Sequence, residues 1–290
     1  MSTDPYVYPG TTVVINHLGI RDPERLAKAE AALVGRRFAD LLQVGAPGPI
    51  GSDWHRGVHK ALFGDLYPFA GEYRTTHISK LGEAPYASPA YLEHNAVDVY
   101  AAIHGKNELR DLSPREFRHA VAKVMADLHV LHPFREGNTR TLQIATAEIA
   151  VRAGHRLEWQ HANPREIRAA GTHAAFGNTL PYERILSDIM PSLRRQSFVD
   201  HAILVMSGTK SSTLTSAIRE ERTRPGSSLS GVVLAATEHY VAITASARTF
   251  AVVERSKLSN PVLPGERVKA IVESERITIA IVNRGRGRSL

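Results

Sequence analysis

Apolar positions along the first two thirds of the chain recur at helical intervals, and the clearest run is Phe117, Val121, Val124 and Leu128. Ser113-Pro114-Arg115-Glu116 stands before it with capping-box spacing, so a helix is predicted to start there and run toward His132. Pro133 disfavours helical geometry at the residue before it, and Gly137-Asn138 prolongs the break. Thr139 to Ala153, rich in Ala, Leu and Ile, reads as the next helix. Asp22-Pro23, Ser88-Pro89 and Asn163-Pro164 are further helix starts, each a capping side chain before a proline whose missing amide hydrogen does no harm in the first turn. Between about Gly71 and Ala87 the pattern changes: Glu72 to Ile78 followed by Lys80-Leu81-Gly82 suits a short β-hairpin flap on a helical domain.

After Arg194-Arg195 the texture shifts through a polar stretch, Ser207 to Ser230, into β-rich segments. Five strands are predicted at 231–234, 240–244, 249–253, 267–272 and 277–282, separated by turn residues, which suggests a small all-β domain of OB-like barrel type. The expected organisation is a mainly α domain over 1–195, a linker over 196–230, the β domain over 231–283 and a basic tail over 284–290.

Composition narrows the chemistry. The 290 residues include no cysteine, which excludes disulfides, thiolate zinc sites and cysteine nucleophiles. No run approaches the roughly 18 apolar residues of a membrane span, and the first ten residues lack the features of a secretion signal, so no membrane association and a cytoplasmic location are expected. The net charge of +7 is concentrated late: residues 201–290 hold 13 Lys/Arg against 7 Asp/Glu. Such a segment attracts nucleic acid or an acidic partner, or simply keeps the surface solvated.

The stretch from His132 to Arg140 carries the candidate chemistry. A histidine lies just past one helix, a carboxylate (Glu136) four residues on, then Gly137-Asn138 and an arginine (Arg140) at the start of another helix. A helix N-terminus presents unpaired amides to an anion, and a preceding glycine lets the backbone approach it. Arg140 adds a forked donor suited to phosphate, Glu136 an oxygen ligand for magnesium, and His132 a base titrating near neutrality. His129, three residues before His132, reads as a capping or core residue rather than a metal ligand, since Pro133 breaks the helix that would align the pair. His55 and His59, four apart on a predicted helix, read as structural or exposed.

These residues resemble the Fic family motif, His-x-Phe-x-(Asp/Glu)-Gly-Asn-Gly-Arg-x-x-Arg. The segments Asp4 to Gly10, Asn16 to Ile20 and Leu62 to Arg74 are similar to parts of bacterial Fic domains, so that the resemblance covers roughly residues 4–195. It implies a mainly α Fic fold with a β-hairpin flap and a protein adenylyltransferase that moves AMP from ATP to a Ser, Thr or Tyr hydroxyl of a target protein. His132 would be the base, Phe134 an anchor in the core, and Glu136 the magnesium ligand. Gly137, Asn138, Thr139, Arg140 and the residue at 143 would bind phosphates. The flap, His77, Ile78, Ser79, Lys80, Leu81 and Gly82, would dock the target by strand addition.

Two positions depart from the pattern. Thr139 stands where glycine is usual, and Gln143 replaces the second arginine, leaving a neutral donor where the outer phosphates would be engaged. The family's restraining helix has only a coincidental echo here, Ser216-Ala217-Ile218-Arg219-Glu220, which makes a small separate antitoxin the expected regulator. A toxin acting in its own cell and an exported effector both fit. The rival reading is an altered Fic scaffold whose basic β domain binds nucleic acid or protein.

Overall fold

The computed structural model describes residues 4–79, 86–208, 219–274 and 276–283. The chain divides into two compact units, residues 1–191 and 192–290.

The first unit is helical: α1 (Pro23–Val44), α2 (Ser52–Phe63), α3 (Leu92–His104), α4 (Pro114–Leu131), α5 (Asn138–Arg152), α6 (Pro164–Ala174) and α7 (Leu180–Ile189). Three of its helices begin where a capping side chain satisfies a free amide. Asp22 accepts from the Arg25 amide, Asn163 from the Arg165 amide, and Ser113 and Glu116 form the reciprocal box at the head of α4. Ser88-Pro89 opens a single 3-10 turn that leads into α3. α4 is the central helix, packed by α3, α5, α6 and α7. Phe117, Val121, Val124 and Leu128 are all buried, at roughly 1.5–3 kcal/mol of transfer free energy each. None of the helices among the described residues is long and apolar enough to cross a membrane.

The expected hairpin at 71–87 is described over 71–79 and at Tyr86 and Ala87. Over 71–79 the backbone bends at Thr75-Thr76 and forms no strand; the Arg74 amide donates to the Pro133 carbonyl (2.8 Å) and the Thr75 amide to the Tyr6 hydroxyl (2.9 Å). Lys80, Leu81 and Gly82 lie outside the described residues.

The second unit takes in most of α8 (Pro191–Ser207), so part of the expected linker over 196–230 is helical. Phe198, Val199 and Ala202 pack with Ala235, Tyr240, Ala242, Phe250 and Val252 in one buried cluster. The strands are β1 (Arg219–Glu220), β2 (Ser228–Ala236), β3 (Tyr240–Thr244), β4 (Thr249–Glu254), β5 (Arg267–Val272) and β6 (Ile277–Asn283). The five expected strands are all present, with β1 added as a short parallel partner of β4. Their order, β1-β4-β3-β2-β5-β6, is that of an open sheet. The expected OB-like barrel is not closed: β2 is long enough to pair with β3 along one stretch and β5 along another, and no pairing joins the ends among the described residues. Gly231 allows the crossing, since a Cβ there would stand 1.8 Å from the Thr244 carbonyl oxygen. Glu220 lies in β1 and ion-pairs with Arg195, in a strand and not in the helix that a restraining motif requires.

Candidate active site

His132 ends α4 in the left-handed region, at φ 42° and ψ 58°, a conformation uncommon for a residue with a Cβ. Its amide still donates to the Leu128 carbonyl (3.1 Å), so the turn is the last of the helix and the first of the loop. The last carbonyls of a helix need outside donors, and here Arg74 supplies them. Its Nε donates to the His132 carbonyl (2.9 Å) and its Nη2 reaches the Leu131 carbonyl (3.4 Å), while the Ala87 amide donates to Val130 (3.0 Å). The His132 ring stacks on Tyr86, with centroids 3.8 Å apart and planes at 19°, and meets the edge of His129 at 5.5 Å. His129 is buried at the end of α4, in keeping with a core role.

From His132 the chain makes a closed loop. Phe134 is fully buried and stacks on His59 at 3.8 Å. Asn138 latches the loop from both sides, its Oδ1 accepting from the Phe134 amide (2.9 Å) and its Nδ2 donating to the Phe134 carbonyl (2.7 Å). Gly137 turns the chain at φ 80°, and an added Cβ would lie 2.3 Å from the Phe63 ring. No side chain caps α5, whose first intrahelical bond runs from Thr141 to the Gly137 carbonyl. The amides of Asn138, Thr139 and Arg140 thus open an uncapped helix N-terminus, the arrangement that receives anions.

Arg140 lies over the Phe63 ring at 4.8 Å and is ion-paired through Nη2 with Glu30 of α1. The other Glu30 oxygen accepts from the Tyr67 hydroxyl. Glu136 projects half-exposed beside the loop and pairs with Arg135 (2.9 Å), which is held in turn by Asp4 (2.9 Å). Burial raises the Glu136 carboxyl above its usual range, while Arg135 opposes the rise. Among the described residues no group of three or more acidic or histidine side chains could hold a metal unaided. A single carboxylate suits magnesium, which takes one or two carboxylates together with substrate phosphates.

The loop 132–140 therefore brings together His132, Glu136, Gly137, Asn138, Thr139 and Arg140. Gln143 sits on α5 one turn beyond Thr139, partly buried. Of the flap residues, His77 and Ser79 are exposed and Ile78 is partly buried.

Several contributors were not singled out from sequence. Glu30 lies about a hundred residues from Arg140 in sequence, and no local pattern marks it. His59, read as structural or exposed, is wholly buried: its Nδ1 accepts from the Gly71 amide (2.9 Å), which leaves Nε2 to donate to the Glu136 carbonyl (2.9 Å). Burial, with Arg140 nearby, depresses its pKa to about 4, and burial beside His59 depresses that of His55 to about 3. The i, i+4 spacing of the two histidines beside Trp54 and Val58 was the available signal.

Residues 49–150 match the Fic/DOC family model. The protein adenylyltransferase VbhT of Bartonella schoenbuchensis is 33% identical over 202 residues, covering 70% of this chain but 40% of that relative's length. The probable protein adenylyltransferase Fic of Escherichia coli is 29% identical over 189 residues, 64% of this chain and 92% of the relative. Among solved structures, the BepC protein of Bartonella tribocorum, a VirB-translocated effector with bound AMPPNP, superposes with a TM-score of 0.60 at 26% identity, over 64% of this chain and 95% of that one.

Proposed function

The chain belongs to the Fic domain family, and from that premise we propose that it is a protein adenylyltransferase that moves AMP from ATP to a hydroxyl of a target protein. The observation that carries the reading is the closed loop 132–140, which holds a histidine at the end of α4 beside the uncapped N-terminus of α5. An ATP analogue bound by the BepC relative supports the choice of nucleotide.

In this reaction the α- and β-phosphates lie against the amides of Asn138, Thr139 and Arg140 and under the Arg140 guanidinium. His132 takes the proton of the attacking hydroxyl. The oxygen so freed forms a bond to the α-phosphorus, the bond from that phosphorus to the bridging oxygen breaks, and pyrophosphate leaves with the electron pair. The chain's main contribution is position and charge compensation. Glu136 would hold magnesium, which supplies charge neutralisation at the phosphates when bound. The flap through His77, Ile78 and Ser79 pairs with an extended segment of the target and brings its Ser, Thr or Tyr hydroxyl to His132. This chemistry belongs where ATP is abundant, in the cytoplasm of the producing cell or of a cell that receives the protein, and a small antitoxin is the class of partner that would restrain it.

The test is transfer from α-labelled ATP into protein in a lysate. Label on a discrete band that disappears with His132→Ala is the expected result. No label with either protein, with magnesium present and other nucleotides tried, would overturn the reading and favour a binding module, which salt-sensitive association with nucleic acid would then reveal.

A further inference from the structure

Arg74 is 2% exposed, among the most deeply buried large side chains of the chain. Burying a guanidinium costs several kcal/mol unless its donors are matched. Here they go to main-chain carbonyls from two places. On one side are Thr76 (from Nη1, 2.8 Å) and Ala87 (from Nη2, 2.5 Å), which bracket the flap. On the other are Leu131 (3.4 Å) and His132 (from Nε, 2.9 Å), the last turn of α4. The backbone adds a fifth link, the Arg74 amide donating to the Pro133 carbonyl (2.8 Å).

We infer that Arg74 is a positioning residue for the transfer reaction: it ties the backbone at Thr76 and at Ala87 to the main chain of His132, so that a target hydroxyl held along His77 to Ser79 arrives in register with the imidazole. The inference rests on the adenylyl-transfer reading above. Three features argue for this role over general packing. An apolar side chain of the same volume would fill the space at less cost in desolvation, but it would leave four carbonyls without these donors. The planar fork sets the angle between the two segments as well as the distance, which a lysine cannot do. The segment it grips contains a non-glycine residue held at positive φ, where the Nε bond to the His132 carbonyl opposes relaxation toward ordinary helix or extended backbone. A shift of about 1 Å between base and nucleophile is enough to lose about a hundredfold in rate.

The phosphate-binding groups stand on α5 and receive nothing from Arg74, so loss of its fork should separate nucleotide binding from transfer. Arg74→Lys is the informative variant, because it keeps the charge and much of the volume, with Arg74→Met as a second. Two measurements decide the matter. In hydrogen exchange on the full chain, the amides of Ala87 and His132 should exchange at least roughly tenfold faster in Arg74→Lys while those of α7 are unchanged. In transfer, kcat should fall roughly a hundredfold, with the ATP Kd within about twofold of wild type. Unchanged exchange at both amides, acceleration spread over the whole unit, or kcat and ATP binding lost in the same proportion would overturn the inference. If wild type itself transfers no AMP, the activity reading is what fails, and the catalytic role falls with it; the exchange data then still report whether Arg74 ties the two segments.

Discussion

Glu30 of α1 holds Nη2 of Arg140 with one carboxylate oxygen and the hydroxyl of Tyr67 with the other. The guanidinium is thereby aimed, but a negative charge also stands close to the proposed phosphate site, and Glu30 is among the groups that raise the Glu136 carboxyl. Glu30→Gln keeps a side chain that can accept from Arg140 and donate to the Tyr67 oxygen while removing the charge. Its expected effect is an ATP Kd several-fold tighter, on the order of 1 kcal/mol for a charge of this kind in a partly exposed site. Glu30→Ala, which leaves Arg140 unaimed, should weaken binding several-fold. Calorimetric titration of both variants distinguishes the two roles; weaker binding in both would mean that aim outweighs charge.

Gly137 leaves no room for a side chain in the loop. Its φ of 80° strains any residue with a Cβ, and that Cβ would meet Phe63 at 2.3 Å. Gly137→Ala should destabilise the first unit by about 2–4 kcal/mol, combining left-handed backbone strain with overpacking. A shift in the urea midpoint measures the cost. A midpoint indistinguishable from wild type would show that the Phe63 ring yields.

How much of this was legible in advance divides along a physical line. The caps at Asp22, Ser113 and Asn163 and the break at His132-Pro133 are encoded within a few residues of where they act, and the loop 132–140 is one contiguous stretch. Glu30, His59 and Arg74 act across the fold, and their roles depend on which carbonyl or guanidinium the packing brings within 3 Å. The β unit shows the same limit. Period-two burial such as that of β5 marks strands, whereas closure of a barrel depends on register, which the two-sided pairing of β2 and the glycine at 231 decide.

Gln143 tests the departure from the family pattern directly. It stands on the same helix as Arg140, three residues on. Gln143→Arg adds a charged donor toward the outer phosphates and should lower the Kd for ATP roughly tenfold, as a charge-assisted hydrogen bond contributes about 1.5–3 kcal/mol. The gain should be absent for AMP, which lacks those phosphates. Equal gains for both nucleotides would place the new guanidinium elsewhere.

His59 makes the site's framework sensitive to mild acid. With its folded pKa at about 4 against an ordinary 6.5, the unfolded chain binds a proton between those values that the folded chain refuses. Stability is therefore full above about pH 6.5 and declines as the pH falls toward 4, by up to about 3 kcal/mol from this residue. His55, depressed to about 3, acts in the same direction. The cause is burial first, and the geometry agrees: a proton on Nδ1 would face the Gly71 amide hydrogen. Glu136, raised in the folded state, works in the opposite sense but only as the pH approaches the carboxylate range. Urea unfolding at pH 7.5, 6.5 and 5.5 should thus show little change over the first step and a clear loss of stability over the second. In His59→Gln, whose amide can accept from Gly71 and donate to the Glu136 carbonyl, the loss should be clearly shallower. An unchanged slope in that variant would assign the acid sensitivity to another group.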